Sequence, residues 1–290
     1  MSAPAPDRDP VTGRLTTGHE WNGIKELGTP VPRIVFIGLT LGALYLIVWT
    51  ILMPAWPGIN SYTRGLLGID QRTSVEARVA LARLERAEWT QRIETEPLAT
   101  LASDPQVMNL VKGYGKTLFG DNCQACHGGK GVGNSGFPNI SQAPLMWGDD
   151  LDTIHETIRV GINAAHPETR FSQMLAFGRD GMLGRSDILA VTDYLLALGS
   201  GASVDDMTHG AEVFAFNCAS CHGDNARGSV DFGAPDLVDD HWIYGGYRQA
   251  VFNSIFTGRA GHMPSWEGRL SKADLRILAL YVGWLRENQP

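Results

Sequence analysis

All four cysteines of this 290-residue chain fall into two copies of one pattern, Cys123-Gln-Ala-Cys126-His127 and Cys218-Ala-Ser-Cys221-His222. None is left over for a structural disulfide. Two thiols one helical turn apart, followed directly by a histidine, form the attachment pattern for a c-type haem. The thiols add across the two vinyl groups of the porphyrin, and the adjacent histidine comes to lie beneath the iron. A structural zinc site needs four converging ligands. The histidines and the duplication argue against drawing four thiolates from two distant pairs. The pattern therefore predicts two haem c groups, attached at Cys123 and Cys126 and at Cys218 and Cys221, with His127 and His222 as proximal ligands.

Each motif opens one copy of an internal repeat. Gly115-Lys-Thr-Leu-Phe119-Gly-Asp-Asn122-Cys123 aligns with Gly210-Ala-Glu-Val-Phe214-Ala-Phe-Asn217-Cys218. Near the other end, Asp187-Ile188 and Tyr194 align with Asp274-Leu275 and Tyr281, and the first repeat is eight residues longer between haem motif and last helix. Each repeat reads as helix, attachment motif, long loop, short helix, methionine loop and final helix. The final helices carry apolar residues at helical spacing: Ile188, Val191, Leu195 and Leu198 in one, Leu275, Leu278, Val282 and Leu285 in the other. The intervening loops are long and rich in Gly, Pro and Asn. A bulky covalent group to wrap accounts for them, and without it each repeat has a thin core.

A sixth ligand has to come from downstream. In the second repeat, Met263 followed by Pro264 closes a Gly-rich loop before the last helix. In the first, Met174 occupies the corresponding place and is favoured over Met182. Met146 lies too close to the attachment motif, and Met207 falls between the repeats. His262 is the competitor of Met263, while His155 and His241 read as surface residues or as neighbours of a ligand. His–Met ligation raises the haem potential and leaves no open coordination site. Such an iron exchanges electrons and activates neither oxygen nor peroxide, which disfavours a peroxidase or a haem-based gas sensor. Pairing within each repeat and exchange of methionine loops, with Met263 serving the haem on His127 and Met174 the haem on His222, both satisfy the spacing.

Residues 34–52 carry no charge. Nineteen helical residues span about 28 Å, close to the hydrocarbon core of a bilayer. The 33 mixed residues ahead of this stretch fit an uncleaved anchor better than a signal peptide. Basic residues Arg8, Arg14, Lys25 and Arg33 weakly favour a cytoplasmic N-terminus. Residues 73–96 read as an amphipathic helix with many charges. Residues 1–102 hold ten basic and ten acidic side chains, so the net charge of −7 belongs to the remainder. That acidic surface argues against nucleic acid and suits a basic protein partner.

The segment Thr16-Thr-Gly-His19-Glu-Trp21-Asn-Gly-Ile-Lys-Glu26 before a single span resembles the N-terminal signature of the dihaem subunits, CcoP or FixP, of cbb3-type cytochrome c oxidases. Met53-Pro-Ala-Trp56-Pro57 and Ser172-Gln-Met-Leu-Ala-Phe-Gly178 are similar too. The expected fold is mainly α, one N-terminal transmembrane helix followed by two tandem cytochrome c domains. The expected segments are 1–33 (cytoplasmic), 34–56 (transmembrane), 57–102 (amphipathic helical linker), 103–200 and 201–290 (the two haem domains). The resemblance implies a single-pass protein of the bacterial inner membrane with its haem domains in the periplasm. It implies electron transfer from a c-type cytochrome donor, through both haems, to a monohaem subunit. From there electrons reach a catalytic subunit with b-type haems and copper that reduces oxygen and pumps protons. The chain alone is expected to catalyse no bond-making step. The rival reading is a dihaem cytochrome that serves a periplasmic dehydrogenase or acts as a free membrane carrier.

Overall fold

The computed structural model describes residues 7–288. The chain divides into two compact units between Glu85 and Arg86. The first holds an antiparallel hairpin of β1 (Thr16–Trp21) and β2 (Ile24–Leu27). Asn22 and Gly23 turn it, both at positive φ (51° and 84°), which is the Asn-Gly signal of a tight hairpin. The helical pattern of the rest of the chain had drawn no strand here.

Helix α1 (Arg33–Leu52) follows, with no buried residue along its length. Among the described residues it is the one helix long and apolar enough to cross a membrane. The hydroxyls of Thr40 and Thr50 donate back to Phe36 O and Ile47 O, so these two polar groups are satisfied within the helix. Helix α2 (Gln71–Thr95) runs from the first unit into the second. Val75, Val79, Leu81 and Leu84 on it are exposed, whereas Trp89 and Ile93 at its end join a core.

Among the described residues, the regular elements of the second unit are helices joined by long loops. α3 (Leu98–Ala102) and α4 (Pro105–Leu110) lead through a π-helical turn (Val111–Gly115) into α5 (Lys116–Asn122). Asp104 caps α4 by accepting from Gln106 N and Val107 N, and Pro105 at the first helical position has no N–H to leave unpaired. The first attachment motif forms the single turn α6 (Gln124–His127), and α7 (Leu151–Val160) and α8 (Arg185–Gly199) complete that repeat. The second repeat gives α9 (Thr208–Asn217), α10 (Ala219–His222), α11 (Arg248–Thr257) and α12 (Lys272–Glu287). Ser271 and Asp274 form a capping box at the start of α12, a feature that contributes about 1 kcal/mol.

The packing does not follow the order of the repeats. One core joins Leu118 and Phe119 of α5 and Ile154 and Ile158 of α7 to Met263, Trp266 and the buried face of α12. The other joins Phe214 of α9 and Val251 and Ile255 of α11 to Met174, Phe177 and the buried face of α8. Each closing helix thus packs on the opening helix of the other repeat. The two aligned pairs of contacts show this directly. Phe119 lies 5.6 Å from Tyr281, and Phe214 lies 5.9 Å from Tyr194, ring centre to ring centre. A Cβ on Gly115 would fall 3.0 Å from Cβ of Tyr281, and one on Gly210 only 2.7 Å from Cβ of Tyr194.

The second core draws only on residues from Met174 to Ile255, and the first takes the chain on either side. The chain crosses between them twice, after α7 and after α11.

At Gly210 an added Cβ also meets Ala190 O at 2.5 Å, while at Gly113 it meets nothing within 4 Å. Gly210→Ala is therefore expected to cost about 1–3 kcal/mol through overpacking. Gly113→Ala is expected to be neutral or stabilising by up to about 1 kcal/mol. Denaturant unfolding of both variants checks this, and equal midpoints would contradict the close helix approach.

Candidate functional site

The two histidines expected as proximal ligands are fixed by the loops that follow them. His127 Nδ1 lies 3.1 Å from Pro138 O, and His222 Nδ1 lies 3.0 Å from Pro235 O. A carbonyl only accepts, so Nδ1 carries the hydrogen and the lone pair is left on Nε2, the tautomer that suits a metal ligand. Burial lowers the pKa of both imidazoles, which keeps them neutral at neutral pH. Burial likewise pushes the thiols of Cys123 and Cys218 up to about 11, with Cys126 and Cys221 adding smaller contributions. The four cysteines stay as two separate pairs. Among the described residues no three His, Cys, Asp or Glu side chains come together as a metal site.

The methionine loops are fixed by reciprocal backbone bonds. Met263 N donates to Ile162 O (3.0 Å) and Ile162 N to Met263 O (2.9 Å); Met174 N donates to Arg259 O (2.7 Å) and Arg259 N to Met174 O (3.1 Å). Ile162 and Arg259 each follow the glycine that ends α7 or α11. Those glycines, Gly161 and Gly258, sit at φ 71° and 69°. A Cβ there would come within 2.4 Å of Met263 O and 2.6 Å of Met174 O, so the close approach excludes a side chain.

A cavity of about 720 Å³ brings Cys123, His127 and Met263 into one space, walled by Phe119, Ile154, Ile158 and Val282. Met146 and His241 also border it. Met174 instead packs into the core that holds Cys218. The structure therefore brings together His127 with Met263, and Cys218 with Met174. Met182 is half exposed and His262 is exposed. His155 is partly buried with no partner for Nε2.

Two polar atoms near the cavity test whether haem fits. Trp147 Nε1 and Arg170 Nε are buried without a hydrogen-bond partner. Trp147 lines the cavity, and the Arg170 guanidinium stands 5.0 Å from its ring centre. Unsatisfied buried donors are costly. The missing complement is an acceptor, and a cationic donor beside it favours an anion. The carboxylates of a haem meet both demands, and the apolar walls suit its ring, so the residues fit the group. Trp147 and Arg170 were not singled out from the sequence. The signal was there, because Trp147 aligns with Trp242 at the offset of the cysteine motifs, and Arg170 and Arg259 both stand four residues before a methionine.

Comparison with known proteins places this geometry in a family. Residues 13–60 match the N-terminal domain of cytochrome oxidase-cbb3, FixP. Residues 113–199 match cytochrome c, and residues 205–282 match cytochrome c oxidase, cbb3-type, subunit III. The cbb3-type cytochrome c oxidase subunit FixP of a Bradyrhizobium species is 43% identical over 276 residues, covering 94% of this chain and 95% of that protein. Subunit CcoP of Cereibacter sphaeroides is 39% identical, covering 92% and 93%. Subunit CcoP of Azospirillum brasilense is 37% identical, covering 95% and 96%. This chain belongs to the FixP/CcoP family of cbb3-type cytochrome c oxidase subunits. Its two repeats are cytochrome c domains, which bind haem c, and its role in the oxidase is electron transfer.

In this FixP/CcoP chain the orphaned indole N–H gives a test of sign. If a haem carboxylate accepts it, Trp147→Phe removes a charge-assisted bond and lowers the stability of the haem-loaded protein by about 1.5–3 kcal/mol. If nothing accepts it, removing the donor leaves stability equal or higher. Denaturant unfolding of the loaded variant separates the two.

Proposed function

We propose that this subunit carries two haem c groups with exchanged axial ligands, His127 with Met263 and His222 with Met174, and relays electrons from a c-type cytochrome donor into the oxidase. The observation that supports it most is the shared cavity of His127 and Met263, together with the paired backbone bonds that fix both methionine loops. When bound, each haem supplies a one-electron iron couple. The residues supply the rest. Cys123, Cys126, Cys218 and Cys221 hold the porphyrin covalently. The Pro138 and Pro235 carbonyls set the imidazole tautomer. Met263 and Met174 would hold the irons from their loops, which would exclude water and exogenous ligands and leave electron exchange as the available chemistry.

The receiving partners on this reading are the monohaem subunit and the catalytic haem b/copper subunit. α1 anchors the chain in the bacterial inner membrane, with residues 1–33 in the cytoplasm and the haem-bearing unit in the periplasm, where c-type haem is attached. The donor side is marked by charge. Residues 201–247 hold eight acidic side chains and one basic one, Arg227. Within this stretch Phe216 is 87% exposed on α9, just ahead of exposed Cys221. An exposed apolar residue close in sequence to the haem attachment, within an acidic stretch of chain, suits a weak and fast complex with a basic cytochrome.

Two measurements test the reading. In a chain whose second motif is removed by Cys218→Ala with Cys221→Ala, the remaining haem is held at Cys123 and Cys126. Adding Met263→Ala is expected to lower its potential sharply and abolish methionine ligation, while Met174→Ala leaves both unchanged; the opposite pattern contradicts the exchange. Electron transfer from a cationic c-type cytochrome is expected to slow severalfold or more as salt rises from about 0.01 to 0.15 M and the screening length shrinks from ~30 to ~8 Å. A flat dependence would remove the electrostatic docking.

A further inference from the structure

The repeats differ in length at one place. From Gly161 to Met174 is thirteen residues, but from Gly258 to Met263 only five. The extra residues form a closed loop, 163–170, whose ends meet through Asn163 N donating to Arg170 O at 2.8 Å. Asn163 opens the loop with φ 49°, in the left-handed region that asparagine tolerates better than most residues. Its side chain reaches both chain crossings. Nδ2 donates to Ser172 O and to Gly261 O, both at 2.7 Å, and Oδ1 accepts from Ser172 N at 3.2 Å. Ser172 stands two residues before Met174, and Gly261 two residues before Met263. The loop is also held on its far side, where His166 Nε2 lies 2.8 Å from Glu267 Oε2 and Glu168 pairs with Arg159.

We propose that Asn163 is a positioning residue for both irons at once, a single amide that fixes the two methionine loops relative to each other and so couples their ligation. This rests on Met174 and Met263 being the iron ligands, as proposed above. The second repeat has no counterpart, because Ala260 follows Arg259 directly and offers no polar side chain. Each methionine loop is therefore held by its own backbone pair, and Asn163 is the side chain that bonds to the approach segments of both. A loop that loses such a bond keeps its methionine on the iron for a smaller fraction of time. Here one substitution reaches both loops.

The test uses the full-length, haem-loaded protein. Asn163→Gly removes all three side-chain bonds and keeps a residue at ease with positive φ, so the backbone is not strained. Asn163→Asp retains the acceptor for Ser172 N and loses both donors. The readout is displacement of methionine by added imidazole on ferric iron, an Fe–N bond replacing Fe–S with no electron transferred. It is followed through the weak long-wavelength absorption of methionine-ligated ferric haem, with a redox titration of both haems. Asn163→Gly is expected to favour imidazole about fivefold at both irons and to lower both potentials. Asn163→Asp is expected to match it at the Met263 loop and fall between at the Met174 loop. A response at one haem only overturns the coupling. Unchanged displacement and potentials with a lower melting temperature assign Asn163 to loop stability alone and overturn the proposal as well. The companion variants Met263→Ala and Met174→Ala, each made with one attachment motif removed, report separately on the exchanged ligation. If those show pairing within repeats while Asn163→Gly still moves both haems, the coupling stands and the exchange fails.

Discussion

Four backbone hydrogen bonds carry the architecture of the haem-bearing unit: the reciprocal pairs between Met263 and Ile162 and between Met174 and Arg259. They join each methionine loop to the end of a helix, α7 or α11, that packs in the same core as the methionine itself. The glycines beside them, Gly161 and Gly258, admit no side chain because the carbonyls come so close. Everything else in this unit is arranged around that closure. The closing helices cross over, the second core becomes a continuous stretch of chain set inside the first, and neither methionine can move without disturbing backbone bonds.

This closure has a consequence for electron transfer. On the ligation proposed above, an iron held by histidine and methionine would reorganise little through a redox change and would take no exogenous ligand. The loops after each attachment motif serve the same end from the other side, by orienting His127 and His222 through the Pro138 and Pro235 carbonyls. Trp147 Nε1 and Arg170 Nε complete the picture as buried donors without an acceptor among the described residues. A fold that contains such orphans is built for a group it does not itself supply. The membrane helix α1 lies in the other compact unit, so the chain separates anchoring from electron transfer along its length.

The attachment motifs, the duplication and the membrane helix were legible in the sequence because their information is local. Thiol spacing, an adjacent histidine and an uncharged run of helical length each state their physics within a few residues. The pairing of the repeats was not legible, and the reason is their likeness. Phe119 and Phe214, Gly115 and Gly210, Tyr194 and Tyr281 are the same residues at aligned positions, so a crossed interface and an uncrossed one have the same composition. What decides is the course of the chain after α7 and α11, and this depends on non-local backbone pairing. The Asn22-Gly23 hairpin is a different kind of miss. Its turn signal is local and was present, but it lay in a polar segment without the alternation that marks a half-buried strand. Asn163 became visible only in three dimensions, although the longer first repeat already marked its neighbourhood.

The central claim is that the closing segments of the two repeats are exchanged. An experimental density map of the haem-loaded protein, sharp enough to place sulfur at each iron, tests it most directly. The account predicts the sulfur of Met263 opposite His127 and that of Met174 opposite His222. Finding Met174 opposite His127 would contradict it.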